Sequence, residues 1–95
     1  MTYKTEFPSF GEMDVEIPQG FEDSSWHNDV SPSFTKGIAE GGKFVLFIDF
    51  KDPSRRELLD LPRFNLLTYS QDDYYVDGFG TDDWAKMLEH TANKT

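Results

Sequence analysis

The chain has 95 residues and no cysteine, carries a formal net charge of −9, and contains nine Phe, four Tyr and two Trp. That length supports one hydrophobic core and not two, the aromatic content excludes a disordered acidic tail, and the missing cysteines exclude disulfides, thiolate nucleophiles and Cys-based zinc sites together. The longest apolar run, Phe44 to Ile48, is strand-sized against the roughly 20 residues that a membrane-spanning helix needs.

Met1-Thr2-Tyr3-Lys4 lacks the apolar stretch of a secretory signal, so nothing here directs export and a cytoplasmic setting is expected. The charge is unevenly placed: residues 1–34 sum to −6, residues 35–66 to +1 and residues 67–95 to −4. Phosphate binding rests on clustered Lys and Arg, and the only basic cluster is Arg55 and Arg56 with Arg63. Direct nucleic-acid binding is therefore not expected, and neither is attachment to an anionic membrane surface.

Residues 12–17 alternate polar with apolar, which places Met13, Val15 and Ile17 on one face of a half-buried strand. Pro18-Gln19-Gly20 ends it in a turn. A second, more polar strand is expected from Ser25 to Val30, with Trp26, Asn28 and Val30 opposite His27 and Asp29, until Pro32 stops it. Gly41-Gly42 between extended runs reads as a two-residue type I′ hairpin turn. Glu40 would then pair with Lys43, Ala39 with Phe44, Ile38 with Val45, Thr35 with Ile48 and Phe34 with Asp49. In that register Phe44, Leu46 and Ile48 share a face with the small Ala39, Gly37 and Thr35, leaving a trough for another element. Val45 and Phe47 make the second face apolar too, so this strand is central.

Asp52-Pro53 starts a turn, a strand runs from Arg63 to Tyr69, and a turn near Gln71-Asp72-Asp73 leads into Tyr74-Tyr75-Val76. Gly78 and Gly80 read as breaks. The last element is a helix from about Asp82 to Ala92, with Thr81 as N-cap, an Asp82–Lys86 pair and an apolar stripe of Trp84, Leu88 and Thr91 flanked by Ala85 and Met87. The expectation is a single α+β domain over residues 1–95: an antiparallel β-meander of about five strands with the C-terminal α-helix packed on one face.

No motif in these residues names a reaction or a cofactor. His27 and Asp29, on one face of a strand, are the catalytic candidates, because a carboxylate orienting an imidazole is half of a general-base arrangement, yet no nucleophile accompanies them. No metal site is expected. Counted from Asp73 as a calcium loop, Asp77 and Gly78 fit positions five and six, but Tyr75 and Trp84 fall where carboxylates are required. His90 suits the helix C-terminus, and Asp77-Gly78-Phe79-Gly80 lacks the spacing of a nucleotide-binding loop.

The leading expectation is a small, acidic, non-catalytic protein-binding domain that meets a basic partner through Glu22, Asp23, Trp26 and Asp29. An inhibitor or immunity-type protein that mimics nucleic acid is a narrower version of it. The alternatives are a small enzyme or ligand-binding domain using His27 and Asp29, and a structural homodimer in which an uncovered sheet face pairs with a second copy.

Overall fold

The computed structural model describes residues 2–38, 41–58 and 60–94, the side chains of 93 and 94 excepted. In chain order the elements are α1 (Tyr3–Glu6), β1 (Glu22–Asp23), β2 (Ser33–Gly37), β3 (Lys43–Ile48), β4 (Phe64–Tyr69), β5 (Tyr75–Thr81) and α2 (Trp84–Lys94). The strands form one antiparallel sheet in the order β1-β2-β3-β4-β5, a meander in which each strand pairs with its chain neighbour. This is the expected α+β architecture. Among the described residues no helix is long and apolar enough to cross a membrane.

The period-two alternation of β3 decides where the core lies. Phe44, Leu46 and Ile48 are buried while Lys43, Val45 and Phe47 are half-buried. Across the ladder Leu46 pairs with both Phe34 and Leu66, and Ile48 pairs with Phe64. These side chains and Met87 of α2 make up the buried core. Two pieces from opposite ends of the sequence cover that face. Helix α2 contributes Met87 and Trp84, whose ring centroid lies 4.8 Å from that of Phe64. The N-terminal arm contributes Tyr3, Phe10, Met13, Val15, Ile17 and Phe21. The Asp23 carboxylate, which accepts from the Tyr3 amide at 2.7 Å, and the Tyr3 hydroxyl, which accepts from the Met13 amide at 3.1 Å, hold the arm down.

Residues 12–17 form no strand. Met13, Val15 and Ile17 do turn inward as the alternation requires, but the segment is in none of the strand ladders. Alternation reports which side of an extended chain is wet and says nothing about whether a neighbouring strand is there to bond. Residues 25–30 are likewise irregular and turn-like, and the pairing in this region is the two-residue β1.

The hairpin between β2 and β3 differs from the type I′ expectation by three residues. Phe34 pairs with Leu46, Thr35 with Val45 and Gly37 with Lys43. The Ile38 amide donates to the Gly42 carbonyl at 3.0 Å and the Gly41 amide to the Ile38 carbonyl at 3.0 Å, so the connection spans three residues, of which Ala39 and Glu40 lie outside the described residues. Only Gly41 of the glycine pair is left-handed, at φ 90°, the geometry of a three-residue loop. Gly42 serves close approach instead, because a Cβ there would collide with the Tyr69 carbonyl. An odd slip exchanges the faces of a strand. It puts Phe34 on the core side, 4% exposed, and Thr35 and Gly37 on the other. Burial of a phenyl ring, about 2–3 kcal/mol, is the physical reason this register is preferred.

Strand β5 runs unbroken through Gly78 and Gly80, which pair with Leu67 and Asn65. A Cβ at either position would press on a side chain of the sheet surface, Tyr75 or Asn65, so these glycines permit close contact and do not break the strand. Helix α2 begins at Trp84, two residues later than expected, and its cap is Asp83: Oδ1 accepts from the Ala85 amide at 2.9 Å and from the Lys86 amide at 3.4 Å. Asp82 instead accepts from the Arg63 amide at 2.8 Å and ties the helix entrance to β4. The buried stripe is Trp84, Met87 and Thr91, with Leu88 at its edge.

Candidate functional site

Both covering pieces lie on the Phe44 side, and among the described residues no helix covers the opposite face. The ladder arranges that open face in rows. Thr35, Val45, Leu67 and Gly78 make one row; Ser33, Phe47, Asn65 and Gly80 make the next. The same register continued past the strand ends aligns Ser31, Asp49 and Arg63, and two backbone bonds confirm the alignment: Ile48 donates to the Pro32 carbonyl at 3.0 Å and Asp49 to the Arg63 carbonyl at 2.9 Å. Leu58 and Leu61, from the connection between β3 and β4, reach this end of the face. Leu58 and Leu61, 44% and 46% exposed, stand beside Phe47 and Leu67. A cleft of about 280 Å³ remains, bounded by these four side chains, by Val30 and Asn65, and by the row of Ser31, Asp49 and Arg63.

Asp49 is 5% exposed. Its Oδ1 accepts from the Phe50 amide at 2.8 Å. Burial pushes its carboxyl above the usual aspartate range, and the Phe50 hydrogen bond with the guanidiniums of Arg56 and Arg63 offsets only part of that cost. Neither guanidinium is bonded to the Asp49 carboxylate among the described residues. Arg63 donates from Nε to the Asp49 backbone carbonyl at 2.9 Å and spends Nη1 and Nη2 on the two oxygens of Asp14, which holds the Asp14 carboxyl below the usual range. Arg56 donates to the Phe50 and Lys51 carbonyls and lies 3.9 Å from Asp82. Each arginine therefore has a carboxylate of its own, and the charge on Asp49 is left to the cleft. Ser31, 1% exposed, has for its hydroxyl a 3.5 Å contact to the adjacent Pro32 carbonyl. An apolar cavity with a few convergent polar groups at one end is the form of a binding site. Its lining contains neither His nor Lys, so Ser31 has no adjacent general base of the usual kind.

The residues singled out from the sequence fall nearby but not in the cleft. Glu22 is exposed on β1 opposite Thr35 and so belongs to the open face. Asp23 faces the other way and is structural, its two oxygens accepting from the Tyr3 and Ser25 amides. Trp26, His27 and Asp29 lie together on the exposed turn that precedes Val30 and Ser31. The Trp26 and His27 rings are 4.3 Å apart. The carboxylate on the imidazole is that of Glu6, whose Oε1 is 2.9 Å from His27 Nδ1 and accepts from the His27 amide at 3.2 Å; these bonds lower the Glu6 carboxyl below its usual range. Asp73, in the stretch compared with a calcium loop, is 3.5 Å from Lys43 Nζ. Among the described residues no group of three or more His, Asp or Glu is placed to hold a metal ion.

The cleft is not legible in the sequence because its walls come from three separate stretches of chain. One signal was present: Asp49 continues the alternation of Val45 and Phe47, so a carboxylate stood on the apolar second face of the central strand. Comparison of the chain with protein-family models, with curated proteins and with solved structures finds no match.

Proposed function

We propose that this domain is a non-catalytic protein-binding module whose contact surface is the open face of the sheet and whose partner is a basic protein. The observation that carries the reading is the juxtaposition on that face of an apolar centre, Val45, Phe47, Leu67, Leu58 and Leu61, with exposed carboxylates: Glu22 on the face itself, and Asp29 and Asp60 next in sequence to the lining residues Val30 and Leu61. Apolar anchors within a charged rim are the anatomy of a recognition surface. A second copy would bring another −9 against the first, whereas a basic surface gains from the same field. Trp26, 41% exposed, extends the margin beside Asp29.

The test pairs capture from a lysate of the source organism with two variants. Phe47→Glu places a charge at the apolar centre; Glu22→Gln with Asp29→Asn and Asp60→Asn neutralises the rim. Support requires a captured basic protein that salt releases, that Phe47→Glu fails to hold, and whose association the rim variant slows more than it speeds dissociation. A photo-crosslinker at Leu67 should reach the partner and one at Leu88 should not. Sedimentation of the isolated chain as a dimer sealed through Phe47, or capture indifferent to Phe47→Glu, would overturn the proposal.

A further inference from the structure

We propose that the cleft receives a lysine side chain of the partner, its alkyl stem lying on Phe47, Leu58, Leu61 and Leu67 and its ammonium group meeting Asp49. The inference rests on the open-face reading and names the group recognised there. At about 280 Å³ the cavity falls just below the ~300–1,000 Å³ of drug-sized ligand sites. It suits a single long side chain. Its walls are aliphatic and aromatic, and its polar end holds the carboxylate of Asp49 across the ladder from the Ser31 hydroxyl, beside Asn65 and an Arg63 whose guanidinium is bonded to Asp14.

The charges around that end select a cation. Arg63 is matched by Asp14 and Arg56 is near Asp82, while Glu57 adds a further negative charge near Asp49. Asp49 and Glu57 are the carboxylates here without an ion pair among the described residues, and of the two Asp49 lines the cleft. Folding has already taken most of this residue out of water, at 5% exposed, so an incoming ammonium meets an acceptor that is largely desolvated and whose position is fixed by the Phe50 amide. The same hydrogen bond discriminates between cations. A guanidinium prefers both oxygens of a carboxylate side by side, and Oδ1 is already engaged; an ammonium is compact, with three rotatable donors that can divide between Oδ2 and the Ser31 hydroxyl.

The probe is n-butylammonium, the lysine side chain without its backbone, titrated into the ¹⁵N-labelled chain at constant ionic strength. Saturable amide shifts are expected at Ser31, Asp49, Asn65 and Leu67, at least tenfold weaker binding of n-butanol and n-butylguanidinium, and at least a tenfold loss in Asp49→Asn, with Ser31→Ala intermediate. Dispersion of the spectra shows whether each variant remains folded. No shift at these amides, equal binding of butanol, or binding indifferent to Asp49→Asn overturns the inference. Partner capture separates the two proposals. Loss of the partner in Phe47→Glu but full retention in Asp49→Asn removes the lysine and leaves the open face standing, whereas retention in Phe47→Glu removes the open-face reading itself. Saturable butylammonium binding with a partner insensitive to Asp49→Asn assigns the cleft to a small amine and overturns the assignment to a partner's lysine.

Discussion

Two aspartates beside Arg63 respond to the fold in opposite directions. Asp14 gains a bidentate guanidinium and its carboxyl moves down; Asp49 gains burial and moves up. Their linkage to stability is opposite in sign. A carboxyl lowered by folding contributes stability above the unfolded pKa that is lost as pH falls through the folded one, while a carboxyl raised by folding favours the native state below the unfolded pKa and loses that advantage as pH rises through the raised value. Asp49→Asn keeps an oxygen for the Phe50 amide and removes the ionisation. Its melting temperature should therefore equal or exceed that of the wild type at neutral pH, with the gap closing in acid, as thermal melts across pH would record. A lower melting temperature at neutral pH would mean that Asp49 is held by bonds worth more than its desolvation. A higher melting temperature for Asp49→Asn would show that Asp49 costs stability where it stands, the trade expected of a residue kept for binding. Sequence could indicate that Asp49 shares a face with Phe47. It could not indicate that Arg56 and Arg63 would each be taken by another acid, because that depends on where Asp14 and Asp82 arrive in three dimensions.

At the level of elements, what depends on local pattern was legible and what depends on distant packing was not. The alternation of Phe44 to Ile48, the strand ending at Tyr69, the turn beyond it and the terminal helix all follow from neighbours in the chain. The register of β2 on β3 does not: two glycines permit either of two loops, and the choice falls to Phe34, whose burial needs the core face. The helix shows the same division. Its apolar stripe was read around Trp84 and Leu88, yet the fully buried residue is Met87, while Leu88 is 39% exposed, because the approach of α2 to β4 and β5 sets its rotation. Met87→Ala should cost about 2–5 kcal/mol, as large core truncations do, and Leu88→Ala well under half as much. Denaturant melts would check the order, and the reverse order would mean that the helix is rotated by about one residue. A loss at the upper end would consume much of the roughly 5–15 kcal/mol available to a small domain.

Over the whole molecule the charge works against compactness. With −9 spread over a surface of 5989 Å² and both lysines that pair with carboxylates among the described residues exposed, Lys4 with Glu12 and Lys43 with Asp73, screening should relieve more repulsion than it removes attraction. The melting temperature should rise between low salt and about 0.15 M, where the Debye length is roughly 8 Å; a fall would place the stabilising charge pairs in control. The order of elements along the chain has a consequence for synthesis. The sheet is complete at Thr81, but its inner face is closed only when Met87 and Thr91 arrive. At roughly 5–20 residues per second, the nascent sheet is adhesive on both sides for about half a second to two seconds before α2 seals one of them. The charge of the N-terminal third, −6, is already made by then and repels a like-charged neighbour in that interval.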